Sequence, residues 1–131
     1  MLQAAAQPSH IAILTRVARL AFAVGVVAVI VLSLAPSSTL PSLDLWDKIE
    51  HAVAYAFLAA TGCFGFGLTA PRAHLPVVMA LAAMGGLIEL AQPAAGRMTS
   101  AADLLANVIG IALGWLLARS FALVLRRPLP A

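Results

Sequence analysis

The sequence has little charge, few aromatic residues and a single cysteine. Only 10% of its 131 residues are charged and 63% are hydrophobic. A soluble domain is typically about half apolar and roughly a quarter charged. So few polar side chains cannot cover the surface of a water-soluble domain of this size. The scarcity of charge therefore excludes an ordinary soluble fold and favours a protein that lies within a membrane.

Each of the other scarcities excludes a further class. The one cysteine, Cys63, cannot form a disulfide within the chain, and we expect it to be a small packing residue of an apolar run. Aromatic residues make up 6% of the chain, too few to line the drug-stacking chamber of a multidrug transporter. The net charge of +3 does not indicate nucleic acid, because the arginines stand singly or in pairs at the ends of apolar runs. We expect lipid headgroups as their partners.

The sequence is instead rich in long apolar runs, separated by short polar breaks. A helix needs about 20 apolar residues to cross a bilayer, and four runs approach or exceed that length. The pattern predicts helices over residues 11–35, 45–68, 75–92 and 101–125, in a single membrane domain that spans residues 1–131. The predicted fold class is all-α, an integral membrane four-helix bundle. The first run also resembles a signal peptide, but Pro36 follows its small-residue triplet, so we expect an uncleaved helix.

The distribution of charge predicts how the bundle is oriented. With the N-terminus inside, the cytoplasmic set is Arg16, Arg19, Arg72, Arg119, Arg126 and Arg127, and the outer set is Lys48 and Arg97. This excess follows the positive-inside rule. The acids, which that rule does not use, all fall near the outer face: Asp44, Asp47, Glu50, Glu89 and Asp103. We therefore predict that both termini are cytoplasmic and that the outer end is polar.

Polar residues recur at helical spacing near the outer end of three predicted helices. Asp47, His51 and Tyr55 are four residues apart and share one face of the second helix. The other members of these stripes are Gly62 on the second helix, Gly85, Glu89 and Gln92 on the third, and Asp103, Asn107, Gly110 and Gly114 on the fourth. Each stripe is polar near the outer surface and small deeper in. Small residues let helices approach closely, so we expect the bundle to open outward around a polar pocket.

The pocket supplies the candidate functional residues. The candidates for catalysis are His51, Asp47, Glu89 and Asp103; those for ligand binding are Lys48, Arg97, Tyr55, Gln92 and Asn107; and Gly62, Gly85, Gly110 and Gly114 are assigned to helix packing. An ionisable group at mid-helix in a membrane costs at least ~2.5 kcal/mol. We therefore expect at least one of the two cations on this side, Lys48 and Arg97, to pair with Glu89 or Asp103.

The same residue types leave other interpretations open. The polar groups can simply join helices, at ~0.6 kcal/mol for each interhelical hydrogen bond. A metal site is a second interpretation, but only Asp47 and His51 have a helical ligand spacing, so we predict no metal and no cofactor. A nucleophilic Ser100 is a third, although Ser100-Ala101-Ala102-Asp103 is better explained as a capping box that opens the fourth helix.

The ordered set of polar and small residues resembles a known family. Ser33-x-x-Pro36, followed by Asp47-Lys48-x-x-His51-x-x-x-Tyr55-x-x-Leu58, resembles the first half of the VanZ-like family of bacterial membrane proteins. A later set of residues resembles the second half of the family pattern: Glu89-x-x-Gln92, Arg97, Ser100, Asp103, Asn107, Gly110 and Gly114. The resemblance therefore covers about Ser33 to Gly114. It implies a multi-pass protein of the bacterial plasma (inner) membrane. The family is named for a member associated with resistance to the glycopeptide teicoplanin.

From the pocket and the resemblance we expect an effect on the cell envelope and on glycopeptide susceptibility. The expected partners are the lipid bilayer and lipid-linked envelope intermediates, whose phosphate or carboxylate Lys48 and Arg97 attract. An enzyme acting on a lipid-linked phosphoester, with His51 as nucleophile or base, is the first alternative, although the Lys/Arg-Ser-Gly-His-Arg-His signature of lipid phosphatases is absent. A structural or partner-binding role is the second. Proton-coupled efflux through Glu89 is the third.

Overall fold

The computed structural model describes residues 10–35, 44–67 and 71–125. Within these ranges the protein is built of helices and contains no strand. The long helices are α1 (His10–Ser33), α2 (Asp44–Gly67), α3 (His74–Ala91) and α4 (Ala101–Leu125), and short 3₁₀ helices cover Pro71–Ala73 and Gln92–Ala95. All four long helices are long and apolar enough to cross a membrane. The predictions of an all-α class and of four apolar helices are thus confirmed.

The connections differ in part from the expected loops. The third predicted helix ended at residue 92 and the fourth began at residue 101, whereas the chain continues after α3 as the 3₁₀ helix Gln92–Ala95. Pro93 has no N–H for an α-helical bond, so the α-helix ends and a tighter turn follows. Pro36, with the rest of the break between the first two helices, and Arg126 and Arg127 lie outside the described residues.

α2 is the central helix of the assembly. It packs against α1, α3 and α4, and its interface with α4 is the most extensive. Tyr55, Leu58 and Leu81 are at the centre of the core between the helices. Large apolar side chains also cover the outside, where Leu90 is 77% exposed. Such an apolar exterior is unfavourable in water and suits contact with lipid.

Close contact between α2 and α4 depends on two glycines of α4. A Cβ atom at Gly110 would collide with the backbone carbonyl of Ala52, and one at Gly114 with that of Ala56. The two glycines are four residues apart, so they form one smooth strip along α4 on which α2 rests. This strip brings the polar residues of the two helices within bonding distance.

α1 is attached to α2 by a polar contact near the C-terminal end of α2. Arg19 donates a hydrogen bond of 2.8 Å from Nε to the carbonyl oxygen of Gly65, and its guanidinium lies 5.2 Å from the ring of Phe66. The last carbonyls of a helix have no partner within it, so a cation there is favourable. Deeper along the interface, Gly62 leaves room for the ring of Phe22. Arg19, assigned from the sequence to lipid headgroups, therefore also joins two helices.

The helices alternate in direction, and this gives the bundle two chemically different ends. The end of α1 and the start of α2 meet where Ser33 and Asp47 line one cavity, and the end of α3 meets the start of α4 where Glu89 binds Ser100. We call this the polar end. The arginine end is defined by Arg16, Arg19, Arg72 and Arg119. That the polar end faces outward stays a prediction from the charge distribution.

Candidate functional site

His51 lies at the centre of the polar end, in the second turn of α2. Its Nδ1 is 3.1 Å from the side-chain oxygen Oδ1 of Asn107 on α4. An amide oxygen only accepts, so in the neutral ring Nδ1–H donates and Nε2 keeps its lone pair. Nε2 is 4.0 Å from Oδ1 of Asp47, which is beyond hydrogen-bonding distance. The ring is thus held from one side and open on the other.

Asp103 approaches the same point from the first turn of α4. The ligand atoms of Asp47, His51 and Asp103 all lie within 4.8 Å of one another. Asp103 is only 6% exposed. Among the described residues, no hydrogen bond or ion pair reaches its carboxylate. Its oxygens are not among the fully buried atoms that lack a partner, so a further group can reach the carboxylate at this point.

The direction of the Asp103 side chain follows from how α4 begins. Ser100 caps the helix as predicted, because its Oγ accepts a 3.2 Å hydrogen bond from the backbone N–H of Asp103. The reciprocal half of the predicted capping box is wrong. Oε2 of Glu89, on α3, accepts the backbone N–H of Ser100 at 2.9 Å in place of Asp103. The Asp103 carboxylate is therefore left to face His51.

The turn that follows α3 positions Arg97 at the site. Gly96 has φ 73°, a left-handed conformation that favours glycine, and the N–H of Arg97 returns to the carbonyl of Gln92 at 3.1 Å. Nη2 of Arg97 then lies 3.6 Å from Oδ1 of Asp47. Arg97 therefore pairs with Asp47 and not with Glu89 or Asp103, because this turn directs the side chain toward the start of α2.

Below these charges lies a layer of buried neutral polar groups. Tyr55 and Asn107 are 1% and 2% exposed. Their polar atoms lie against Gly85 of α3, where a Cβ atom would be 3.1 Å from Nδ2 of Asn107 and 3.2 Å from the hydroxyl of Tyr55. In the described part of the chain, the Tyr55 hydroxyl, Oε1 of Glu89 and Oε1 of Gln92 are buried without a hydrogen-bond partner. The layer therefore retains unused hydrogen-bonding capacity.

A cavity of about 160 Å³ opens at the polar end. Its lining residues are Val29, Leu32, Ser33, Asp47, Glu50, His51, Ala54, Tyr55 and Arg97. At ~30 Å³ for each water molecule, this volume corresponds to roughly five waters. Sites for drug-sized ligands are larger, at about 300–1,000 Å³. The cavity therefore suits one small polar group and not a whole glycopeptide.

A larger groove of about 840 Å³ lies at the arginine end, between the start of α3 and the second half of α4. Arg72, Trp115 and Arg119 line it among apolar side chains, and the Arg119 guanidinium is 5.7 Å from the Trp115 ring. None of the predicted catalytic or ligand-binding residues lines this groove. His74 also lines it, and its ring is buried against Gly67, which has no side chain to exclude it.

The structure brings most of the predicted site residues together. Asp47, His51, Tyr55 and Arg97 line the small cavity, Asp103 and Asn107 approach this set from α4, and Glu89 joins through Ser100. Gln92, which is buried, and Lys48, which is half-buried, do not line the cavity.

Sequence reasoning missed two polar residues that line the cavity, Ser33 and Glu50. Glu50 follows Asp47 by three residues, so helical spacing was a usable signal for it. Ser33 is separated from the other lining residues by the break between α1 and α2, and no spacing rule connects it to them.

Comparison of the chain with protein-family models, with curated proteins and with solved structures finds no match.

Proposed function

We propose that this protein is a VanZ-like membrane protein whose polar-end cavity binds the anionic headgroup of a lipid-linked envelope intermediate. The cavity would open at the outer face of the bacterial plasma membrane, and binding there would influence the cell envelope and glycopeptide susceptibility. One observation carries the proposal. Ionisable side chains from α2, the loop after α3 and α4 converge beside a single small cavity within an otherwise apolar bundle. Intramembrane ionisable groups with such convergence are typical of functional sites.

The size of the cavity supports a headgroup as the ligand. Its 160 Å³ accommodates a phosphate or a comparable small group, while the attached hydrocarbon chain stays in the bilayer. Val29 and Leu32 of α1 line the same cavity as Asp47 and Arg97. A ligand with a polar head and an apolar tail matches this combination.

Arg97 is the cation best placed to contact the headgroup. Its distance of 3.6 Å from Asp47 is longer than the ~2.7–2.9 Å of a strong charge-assisted hydrogen bond. The Asp47–Arg97 pair is therefore loose, and Arg97 has donors left for a phosphate oxygen. Lys48, which follows Asp47 directly on α2, is the second candidate cation.

A retention experiment tests the proposal. Protein purified in mild detergent is incubated with undecaprenyl phosphate and examined by native mass spectrometry. We expect Arg97→Gln to lose retained lipid at least tenfold, while Arg16→Gln, an exposed arginine at the arginine end, retains it. Equal retention by the wild type and both variants would refute the proposal. Thermal unfolding of the same samples shows whether Arg97→Gln remains folded.

Hydrolysis of a lipid-linked phosphoester is the second candidate function. The observation that favours it is the placement of His51, which lines the cavity and whose Nδ1 is held by Asn107, so that Nε2 keeps its lone pair. An imidazole held in this way can act as a general base. Phosphate release from an undecaprenyl-linked substrate, lost in His51→Gln and kept in Arg16→Gln, would support an enzyme. Lipid retention without turnover supports binding alone.

A further inference from the structure

We propose that Asp47, His51 and Asp103 form a site for one divalent metal ion, Zn²⁺ or Mn²⁺. Their ligand atoms lie within 4.8 Å of one another. Ligands at ~2.0–2.2 Å from a metal are at most about 4.4 Å apart across it, so only small side-chain shifts bring all three into range. Two of the ligands are on α2 and the third is on α4, which is why helical spacing within one segment did not predict the site.

The hydrogen bond between Asn107 and His51 prepares the histidine for metal binding. A histidine that binds a metal through one ring nitrogen usually donates the other N–H to an oxygen of the protein, which fixes the tautomer and the ring plane. Here Oδ1 of Asn107 accepts from Nδ1 at 3.1 Å. Nε2 is left as the metal-binding atom. It lies 4.0 Å from Oδ1 of Asp47, which is too far for a hydrogen bond between them.

The unpaired carboxylate of Asp103 provides an independent reason. Asp103 is 6% exposed, and no partner binds its carboxylate among the described residues. Arg97 lies beside Asp47, and no ion pair joins it to Asp103. Two carboxylates close together repel each other unless a positive charge lies between them. A divalent ion neutralises both carboxylates at once.

The donor set decides which metals suit the site. One imidazole nitrogen and two carboxylates form a mixed nitrogen and oxygen donor set. Such a set fits Zn²⁺ or Mn²⁺ better than Mg²⁺ or Ca²⁺, which prefer oxygen ligands alone. Three protein ligands leave coordination positions open. A phosphate oxygen of a headgroup can fill such a position beside Arg97; this use of the ion rests on the proposed function, whereas metal binding itself does not.

Electron paramagnetic resonance of bound Mn²⁺ tests the site directly. The purified full chain is stripped with EDTA, dialysed and titrated with Mn²⁺, and spin-echo modulation reports any ¹⁴N nucleus bound to the metal. We expect one Mn²⁺ for each chain, with ¹⁴N coupling from His51 that His51→Gln abolishes. Asp103→Asn should weaken binding by at least tenfold. Zn²⁺ should displace the Mn²⁺.

The matched control is Glu50→Gln, which removes the same charge from an exposed position at the rim of the same cavity. We expect its affinity for Mn²⁺ to fall less than threefold. A wild-type protein that binds no Mn²⁺ or Zn²⁺, bound Mn²⁺ without ¹⁴N coupling, or equal loss in Glu50→Gln and Asp103→Asn would each overturn the site. The wild-type spectrum remains a direct test of the site even where a variant fails to fold.

The two proposals fail separately. Arg97→Gln removes the proposed headgroup contact and leaves all three metal ligands, so it should bind Mn²⁺ with the wild-type ¹⁴N coupling. If undecaprenyl phosphate is not retained by the wild type while the coupled Mn²⁺ signal is present, the headgroup proposal is wrong and the metal site stands. If the wild-type protein retains the lipid but binds no metal, the metal site is wrong and the headgroup proposal stands.

Discussion

The side-chain oxygen of Asn107 lies 3.1 Å from Nδ1 of His51, and this hydrogen bond joins α4 to α2 at the polar end. Both residues are largely buried, so the hydrogen bond is shielded from water. It selects one tautomer of His51 and directs Nε2 toward Asp47 and Asp103. The chemistry proposed for the site depends on this orientation.

Asn107→Ala should therefore destabilise the protein by about 1–3 kcal/mol, because it leaves Nδ1 of His51 buried without an acceptor. Thermal or denaturant unfolding in detergent micelles measures the effect. Ser120→Ala, an exposed position on the same helix, is the control and should change stability little. Equal stability of the wild type and Asn107→Ala would show that the hydrogen bond contributes nothing.

Gly110→Ala should separate α2 from α4. The added Cβ meets the carbonyl of Ala52, which belongs to the backbone and cannot rotate away. Overpacking of this kind costs about 1–3 kcal/mol. Gly86→Ala is the matched control, since nothing lies within 4 Å of a Cβ there. It should be neutral or slightly stabilising, because alanine favours helix by up to ~1 kcal/mol over glycine. The same loss in both variants would mean that helix contact is not the cause.

Ser100→Ala should lower stability by about 1 kcal/mol through loss of the α4 cap. The variant should still retain undecaprenyl phosphate, because the Ser100 hydroxyl caps the helix and does not contact the ligand. Unfolding and undecaprenyl phosphate retention are measured on the same preparation, with Ser120→Ala as the control. Complete loss of retention or turnover in a Ser100→Ala protein that is fully folded would instead indicate a nucleophile.

Arg19→Gln should weaken the attachment of α1. It removes the charged hydrogen bond to the Gly65 carbonyl and the contact with the Phe66 ring. Hydrogen bonds to charged groups contribute about 1.5–3 kcal/mol, and we expect a loss near the lower figure. Arg16→Gln, three residues earlier on α1 and exposed, makes the same change of charge. Comparable destabilisation by the two would show that lipid contacts, and not the Gly65 carbonyl, account for the effect.

Gly96→Ala should displace Arg97 from the cavity. The φ of 73° costs a non-glycine L-residue roughly 1–2 kcal/mol, so the turn should relax and carry Arg97 with it. Undecaprenyl phosphate retention should fall. Gly96→Asn should restore much of the binding, because asparagine tolerates the left-handed region better than alanine. Equal retention by Gly96→Asn and Gly96→Ala would show that the turn does not position Arg97.

Much of the architecture follows from local pattern. The apolar runs determine four helices because a spanning segment must satisfy its own backbone groups, and Ser100 marks the start of α4 because a serine there accepts a backbone N–H. The spacing of Asp47, His51 and Tyr55 places them on one face of α2. Each of these inferences needs only residues that are close in sequence.

The composition of the site was decided by tertiary structure. Glu89 takes the Ser100 N–H that Asp103 was expected to take, Arg97 pairs with Asp47, and Asp103 is left facing His51. Helical periodicity gives the face of each residue but not the rotation and depth of one helix against another. Those are set by contacts such as Gly110 on the Ala52 carbonyl, which only the packed bundle contains.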